Sequence, residues 1–184
     1  MNKEIEVRFL EINKNELAEK LIKLGAKDKG ENILNETIFY DSDLSWLEEK
    51  RFVRLRTIGN VTTLTYKENR GQTIDSAHEV ESIVDNPEKM TKLLENVGLI
   101  AYRRQEKKRH SFLLGDTAID IDTWPNIPPY VELEGKSEDE LQQISASLGF
   151  SWGSAVFDDA KSVIEKKYNI PIGKMRWFTF SRFE

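Results

Sequence analysis

The chain has 184 residues, with 27 Lys and Arg against 32 Asp and Glu and a formal charge of -5, so its surface as a whole repels nucleic acid and anionic membranes and any anion site must be assembled locally. The absence of cysteine excludes disulfides, thiolate metal sites and a cysteine nucleophile, and two histidines are too few for a multi-histidine zinc centre. The opening MNKEIEVRF lacks the apolar run of a signal peptide, and no segment is apolar over the span of a bilayer, so a cytoplasmic chain folded as one domain over 1–184 is expected.

Glu4-Ile5-Glu6-Val7-Arg8-Phe9 alternates charged and apolar residues, the period of a strand with one charged and one apolar face. Asn13 followed by Glu16 predicts a capped helix start, with Leu17, Leu21, Ile22 and Leu24 as the apolar side and Gly25 at the end. Residues 32–40 read as a strand and 41–50 as a connection with a helical turn. Residues 52–56 and 61–67 form strands around an Ile58-Gly59-Asn60 turn. A polar loop is expected at 69–76 and a short strand at 79–83. Asn86-Pro87 opens a helix carrying Met90, Leu93, Leu94 and Val97.

In the second half a strand runs from 100 to 108 and on to 114, Gly115-Asp116 turns the chain, and 117–123 and 130–134 flank a proline-rich connection. Ser137 starts a helix with Leu141, Ile144 and Leu148 facing inward. Residues 157–184 are expected to pack a last helix, over 158–168, and an aromatic tail onto the sheet, with a homodimer through the same aromatics as the alternative. About eight strands with few helices is a barrel-like count, mainly antiparallel β with flanking helices; an ordinary α+β sheet is the alternative that the spacing leaves open.

The wet faces of these strands carry same-sign pairs at i and i+2: Glu4 and Glu6, Arg54 and Arg56, Glu79 and Glu81, Lys107 and Arg109, Asp120 and Asp122, Glu132 and Glu134. Any one pair suits a solvated surface, where ion pairs are weak. Recurrence along the chain points instead to a ligand that compensates like-charge repulsion. A triphosphate gives the cations a common task, since arginine forks suit phosphoryl oxygens and lysines supply compact charge. The carboxylates would repel that ligand unless they hold a hard cation such as Mg²⁺ or Mn²⁺.

Glu4-x-Glu6-x-Arg8 resembles the Glu-x-Glu-x-Lys signature of the CYTH superfamily, the triphosphate tunnel metalloenzymes that include class IV adenylyl cyclases, thiamine triphosphatases and inorganic triphosphatases. Arg54-x-Arg56, Lys67, Glu79-x-Glu81, Lys107-x-Arg109, Asp120-x-Asp122 and Glu132-x-Glu134 follow in that family's order. The resemblance implies a closed, eight-stranded antiparallel barrel forming a triphosphate tunnel with flanking helices. It implies Glu4, Glu6, Asp122, Glu132 and Glu134 as the metal set, with Glu79, Glu81 and Asp120 as supporting carboxylates. Arg8, Arg54, Arg56, Lys67, Lys107 and Arg109 become the phosphate-binding set, and Lys161 a basic residue presented from the C-terminal region. Arg8 stands where the family usually has lysine. The implied reaction is metal-dependent hydrolysis of inorganic, nucleoside or thiamine triphosphate, with Glu4, Glu6, Lys67 and Lys161 as catalytic candidates. Cyclisation of ATP to cyclic AMP and pyrophosphate is the alternative, and a binding protein without turnover is the third reading. No nucleic-acid or membrane partner is expected.

Overall fold

The alternating opening segment forms β1 (Ile5–Phe9), which buries Val7 and Phe9 in an apolar cluster and turns Glu6 and Arg8 to the opposite face. The computed structural model describes residues 5–69 and 77–184, so Glu4 and the loop expected at 69–76, beyond its first residue, lie outside the described residues. Helix α1 (Lys14–Lys23) starts where the cap predicts: the Asn13 side chain accepts from the Asn15 and Glu16 amides, and its own amide donates to Glu16 Oε1 at 2.7 Å. Leu17 and Leu21 are buried, whereas Ile22 and Leu24 are 52% and 41% exposed, having rotated off the stripe that an i, i+4 pair defines.

Strands β2 (Lys27–Asp41) and β6 (Leu99–Leu114) are the long spine of the sheet and pair with each other over almost their whole length. Strand β2 exceeds the expected 32–40 because bulges between Asp28 and Gly30 and between Ile38 and Phe39 absorb its bending without ending the ladder. Gly30 takes a φ of 86° at the first of these, a conformation glycine adopts without a Cβ penalty. Strands β3 (Arg51–Ile58), β4 (Val61–Asn69) and β5 (Ala77–Val84) extend the sheet from β2, while β7 (Thr117–Thr123), β8 (Tyr130–Gly135) and β1 extend it from β6. The order is β1-β8-β7-β6-β2-β3-β4-β5, with all these pairs antiparallel, and β9 (Trp177–Phe178) runs parallel to β6 beside Arg104 and Gln105.

The sheet therefore has nine strands among the described residues and is open between β1 and β5, not the closed eight-stranded barrel that was expected. The edge of β1 is already in use: the Arg8 amide donates to Val156 O and the Val156 amide to Arg8 O, both at 2.9 Å. The ninth strand arises because β7 pairs with β6 only from Lys108 onward, leaving the earlier edge of β6 to the tail.

Helices cover the apolar face of the sheet. Leu17 and Leu21 of α1 join Leu141 of α4 (Glu138–Ser147), and Leu148 beyond it, in one cluster with Val7, Phe9, Ile119, Ile121, Val131 and Leu133. Each such buried side chain contributes about 1.5–3 kcal/mol relative to exposure. Helix α2 (Ser45–Glu48) is the helical turn expected within 41–50, and helix α3 (Pro87–Asn96) seats Leu94 against Phe39, Val53, Leu55 and Val84, while Leu93 and Val97 remain exposed. On the C-terminal side, Ile164 of α5 (Ala160–Tyr168), with Ile172, Met175 and Phe178, packs against Trp124, Ile127 and Tyr130. With the apolar face covered, the charged residues at alternate positions line the other face. Among the described residues no helix is long and apolar enough to cross a membrane.

Candidate functional site

Strand alternation brings the predicted cations together: Arg8 from β1, Arg54 and Arg56 from β3, Lys67 from β4 and Lys107 and Arg109 from β6 all line one cavity of about 450 Å³. Lys161 of α5 reaches the same cavity. Of the predicted carboxylates, Glu6, Glu132 and Glu134 line it too. Glu79 and Glu81 stand beside the wall, Glu79 paired with Lys67 and Glu81 accepting from the Thr65 hydroxyl at 2.7 Å. Asp120 and Asp122 lie behind Arg109, at 2.5 and 2.7 Å from its guanidinium nitrogens. Glu4 is outside the described residues.

At the β1–β8–β7 wall the charges are interlocked. Arg8, 3% exposed, contacts Glu132 at 2.7 Å and Glu6 at 3.0 Å. Asp122 is 0% exposed and receives Arg109 Nε and Nη2, each at 2.7 Å, as well as Lys107 Nζ at 2.6 Å. Arg109 also reaches Glu132 at 3.3 Å. Burial alone would raise the Glu132 carboxyl, but Arg8, Arg109 and Lys107 overcome it and hold the group well below the usual carboxylate range. Burial and the neighbouring Arg109 push the Lys107 ammonium below its usual value despite Asp122. Lys107 also sits over the Trp124 ring at 5.2 Å, and the Trp124 indole donates to the Tyr130 hydroxyl at 2.9 Å, so Trp124 anchors the proline-rich connection and lines the cavity.

The opposite wall is under-compensated. Glu36 on β2 accepts from Arg56 Nε at 2.6 Å and from Gln105 Nε2 at 2.5 Å, leaving Arg54 Nε at 3.9 Å. The remaining Arg54 contact is a long one, Nη2 to the Thr65 hydroxyl at 3.5 Å, and its buried Nε has no hydrogen-bond partner among the described residues. Burial pulls the Arg54 pKa below the ordinary arginine value, and Glu36 does not restore it. Arg54 thus lines the cavity as a largely withdrawn cation short of close partners among the described residues, with Glu79 and Glu81 acting on it at longer range.

Glu36, Arg103 and Gln105 are cavity residues that the pairing pattern did not reveal. Glu36 alternates with Leu34 and Ile38 rather than with a second charge, and that lone acid among buried apolar positions was the available signal. His110, as alternation from Arg109 implies, turns away and bonds Asp28 at 2.8 Å. No group of three or more His, Asp or Glu is disposed to hold a metal among the described residues; Glu6 and Glu134 stand opposite each other in the β1–β8 register.

Burial raises the Glu36 carboxyl, but Arg56, Arg54 and Lys107 together outweigh it and lower its pKa from 4.5 to about 2. A depressed folded-state pKa stabilises the fold above the unfolded value, and the contribution is lost as pH falls through the folded one. Wild-type stability is therefore expected to decline from about pH 4.5 towards pH 2 by roughly 3 kcal/mol from this group. Urea unfolding across that window should show a visibly shallower decline for Glu36→Gln; identical slopes would mean that Glu36 is not held ionised.

Residues 2–151 match the CYTH domain. Among solved structures, the chain is similar to a Vibrio parahaemolyticus protein proposed to be an adenylate cyclase, with a TM-score of 0.74, 15% identity, and coverage of 89% of this chain and 98% of that one. The PH1012 protein of Pyrococcus horikoshii OT3 aligns with a TM-score of 0.71 and 20% identity over 85% of this chain and 96% of that one. A Hippeastrum protein proposed to be an adenylyl cyclase, and described as having a dominant triphosphatase activity, aligns with a TM-score of 0.64 and 14% identity over 92% of this chain and 96% of that one. A search of curated proteins gave no match. At these identities the structures speak for the fold alone, whereas the domain match spans most of the sequence together with its ordered charge pairs: the chain belongs to the CYTH-domain family.

Proposed function

We propose that the cavity binds the triphosphate group of a small molecule and that the protein hydrolyses it with the help of a divalent cation. The observation that carries this reading is Arg54, which lines the cavity beside Arg56, is largely withdrawn from solvent and has a buried Nε with no hydrogen-bond partner among the described residues. Arg54 and Arg56 bind phosphoryl oxygens from one wall, with Lys67 beside them. Arg8, Lys107 and Arg109 are held in fixed orientations by Glu6, Glu132 and Asp122 and face the same ligand from the other. Because these groups are oriented before the ligand arrives, they stabilise transferring charge without reorganising during reaction.

The donor set fits Mg²⁺ or Mn²⁺ in its chemistry: Glu6 and Glu134 stand opposite each other on β1 and β8, line the cavity and offer hard carboxylate oxygens. A bound cation supplies charge neutralisation at the phosphoryl oxygens. Asp122 and Glu132 fit that role less well than the sequence implied, since Lys107 and Arg109 occupy the oxygens of Asp122, and Arg8 and Arg109 those of Glu132; their task is to position these cations. Glu6 would orient water beside such a cation, and Lys161 adds positive charge from α5.

Cyclisation of ATP is the second reading, favoured by Ile38, Leu47 and Phe52, which give the cavity an apolar portion suited to a nucleoside. Product analysis with inorganic triphosphate, ATP and thiamine triphosphate, each with Mg²⁺ and with Mn²⁺, separates the readings. Orthophosphate release is expected. Cyclic AMP with pyrophosphate would replace hydrolysis by cyclisation, and tight binding without turnover would leave a binding protein.

A further inference from the structure

The domain match ends at residue 151, yet the cavity is lined beyond it by Lys161, Ile164, Glu165 and Ile172. Two buried arginines hold this later segment at both ends. Arg8 Nη1 donates to Asp158 O at 2.8 Å just before α5, and Arg103 Nη1 donates to Ile172 O at 3.0 Å just after it. The Tyr102 hydroxyl adds a bond to Gly173 O at 3.2 Å.

Arg103 is also the start of a chain of side-chain bonds that crosses the sheet. Its Nε donates to Gln105 Oε1 at 2.8 Å, Gln105 Nε2 donates to Glu36 at 2.5 Å, and Glu36 accepts from Arg56 Nε at 2.6 Å. The guanidinium that fastens the end of α5 thus also fixes the carboxylate that orients a cavity arginine. At the other end of the link, the Gly173 amide donates to Glu165 Oε1 at 2.8 Å, and a Cβ on Gly173 would meet that oxygen at 2.6 Å and Lys161 Cε and Nζ at 3.0 and 3.2 Å. The Lys161 head group therefore rests against the backbone that Arg103 and Tyr102 secure.

We infer that Arg103 is a positioning residue that sets Lys161 and Arg56 relative to each other across the cavity, making the C-terminal segment a working part of the anion site. Its value to ligand binding rests on the triphosphate reading; its fastening of the segment does not. Lysine at this position keeps the charge but cannot donate through a planar fork to both Ile172 O and Gln105.

The test combines backbone amide exchange over 160–174 with calorimetric titration of inorganic triphosphate in Mg²⁺, for wild type, Arg103→Lys, Lys161→Ala and the double variant. Arg103→Lys is expected to speed exchange in the segment and weaken inorganic triphosphate by about tenfold, the scale of one lost charged hydrogen bond. The loss should shrink markedly in the Lys161→Ala background, because the two residues act through one arrangement. Unchanged exchange in 160–174, or fully additive losses, would overturn the inference. If wild type binds no inorganic triphosphate, the functional reading fails, and the exchange data alone decide whether Arg103 fastens the segment. Gly173→Ala is the second variant: it displaces only the flexible ends of Lys161 and Glu165, so it should fold and lose as much affinity as Lys161→Ala, and wild-type affinity would count against the inference.

Discussion

Arg54→Met is expected to lower kcat/KM for a triphosphate by about 10²–10³, the effect of removing one preorganised donor to a transferring group, while the ligand-free protein unfolds at an unchanged or higher urea concentration. The two halves of the result have one origin. Arg54 is largely withdrawn from solvent and, among the described residues, has one long hydrogen bond and a 3.9 Å approach to Glu36, with Glu79 and Glu81 acting only at longer range, so its charge lacks close compensation. Methionine keeps much of the stem's volume and removes the desolvated charge, a change that is often neutral or stabilising when the pairing was weak. Glu36 retains Arg56 and Gln105. Steady-state kinetics and urea titration on the same preparation make the check. Activity within about twofold of wild type would remove Arg54 from the anion site, and parallel losses of activity and stability would reassign it to the fold.

Asp122→Ala is expected to act in the opposite sense, destabilising the protein by about 3–5 kcal/mol, the scale of breaking a buried ion pair by deleting one partner. The carboxylate is fully buried and holds both Lys107 and Arg109. Its removal deprives the buried Lys107 of its ion-pair partner and leaves it beside an Arg109 that keeps Asp120 at 2.5 Å and Glu132 at 3.3 Å. Inorganic triphosphate should recover part of the loss, because a ligand that binds only the folded state stabilises it by mass action and this variant gives that ligand extra positive charge to meet. Chemical denaturation with and without inorganic triphosphate measures both effects. A loss below about 1 kcal/mol would show that Lys107 and Arg109 find other partners when Asp122 is gone.

The site was more legible than the closure of the sheet. Pairs such as Arg54 with Arg56 and Lys107 with Arg109 announce themselves because a strand repeats every second residue, so two equal charges in that spacing must share a face. The apolar residues between them, Val53, Leu55, Ile119, Ile121, Val131 and Leu133, duly form the covered side of the sheet. Glu36 escaped because its neighbours at the same spacing are Leu34 and Ile38. Arg103 and Gln105 escaped because residues 103–111 are an unbroken polar run, in which alternation marks no inner face.

From the sequence by itself came the antiparallel strands, the capped helices at Asn13, Asn86 and Ser137, the single charged face and its division into basic and acidic sets. These follow from local rules: side-chain period, cap chemistry and the sign of each charge. Tertiary structure alone decided that the sheet stays open, that Val156 occupies the β1 edge, and that the tail adds β9 to β6. It also decided which charges satisfy each other, sealing Asp122 between Lys107 and Arg109 while leaving Arg54 short of partners. The physical reason is that compensation of a buried charge depends on distances of a few ångströms between residues far apart in the chain, and no local periodicity encodes such distances.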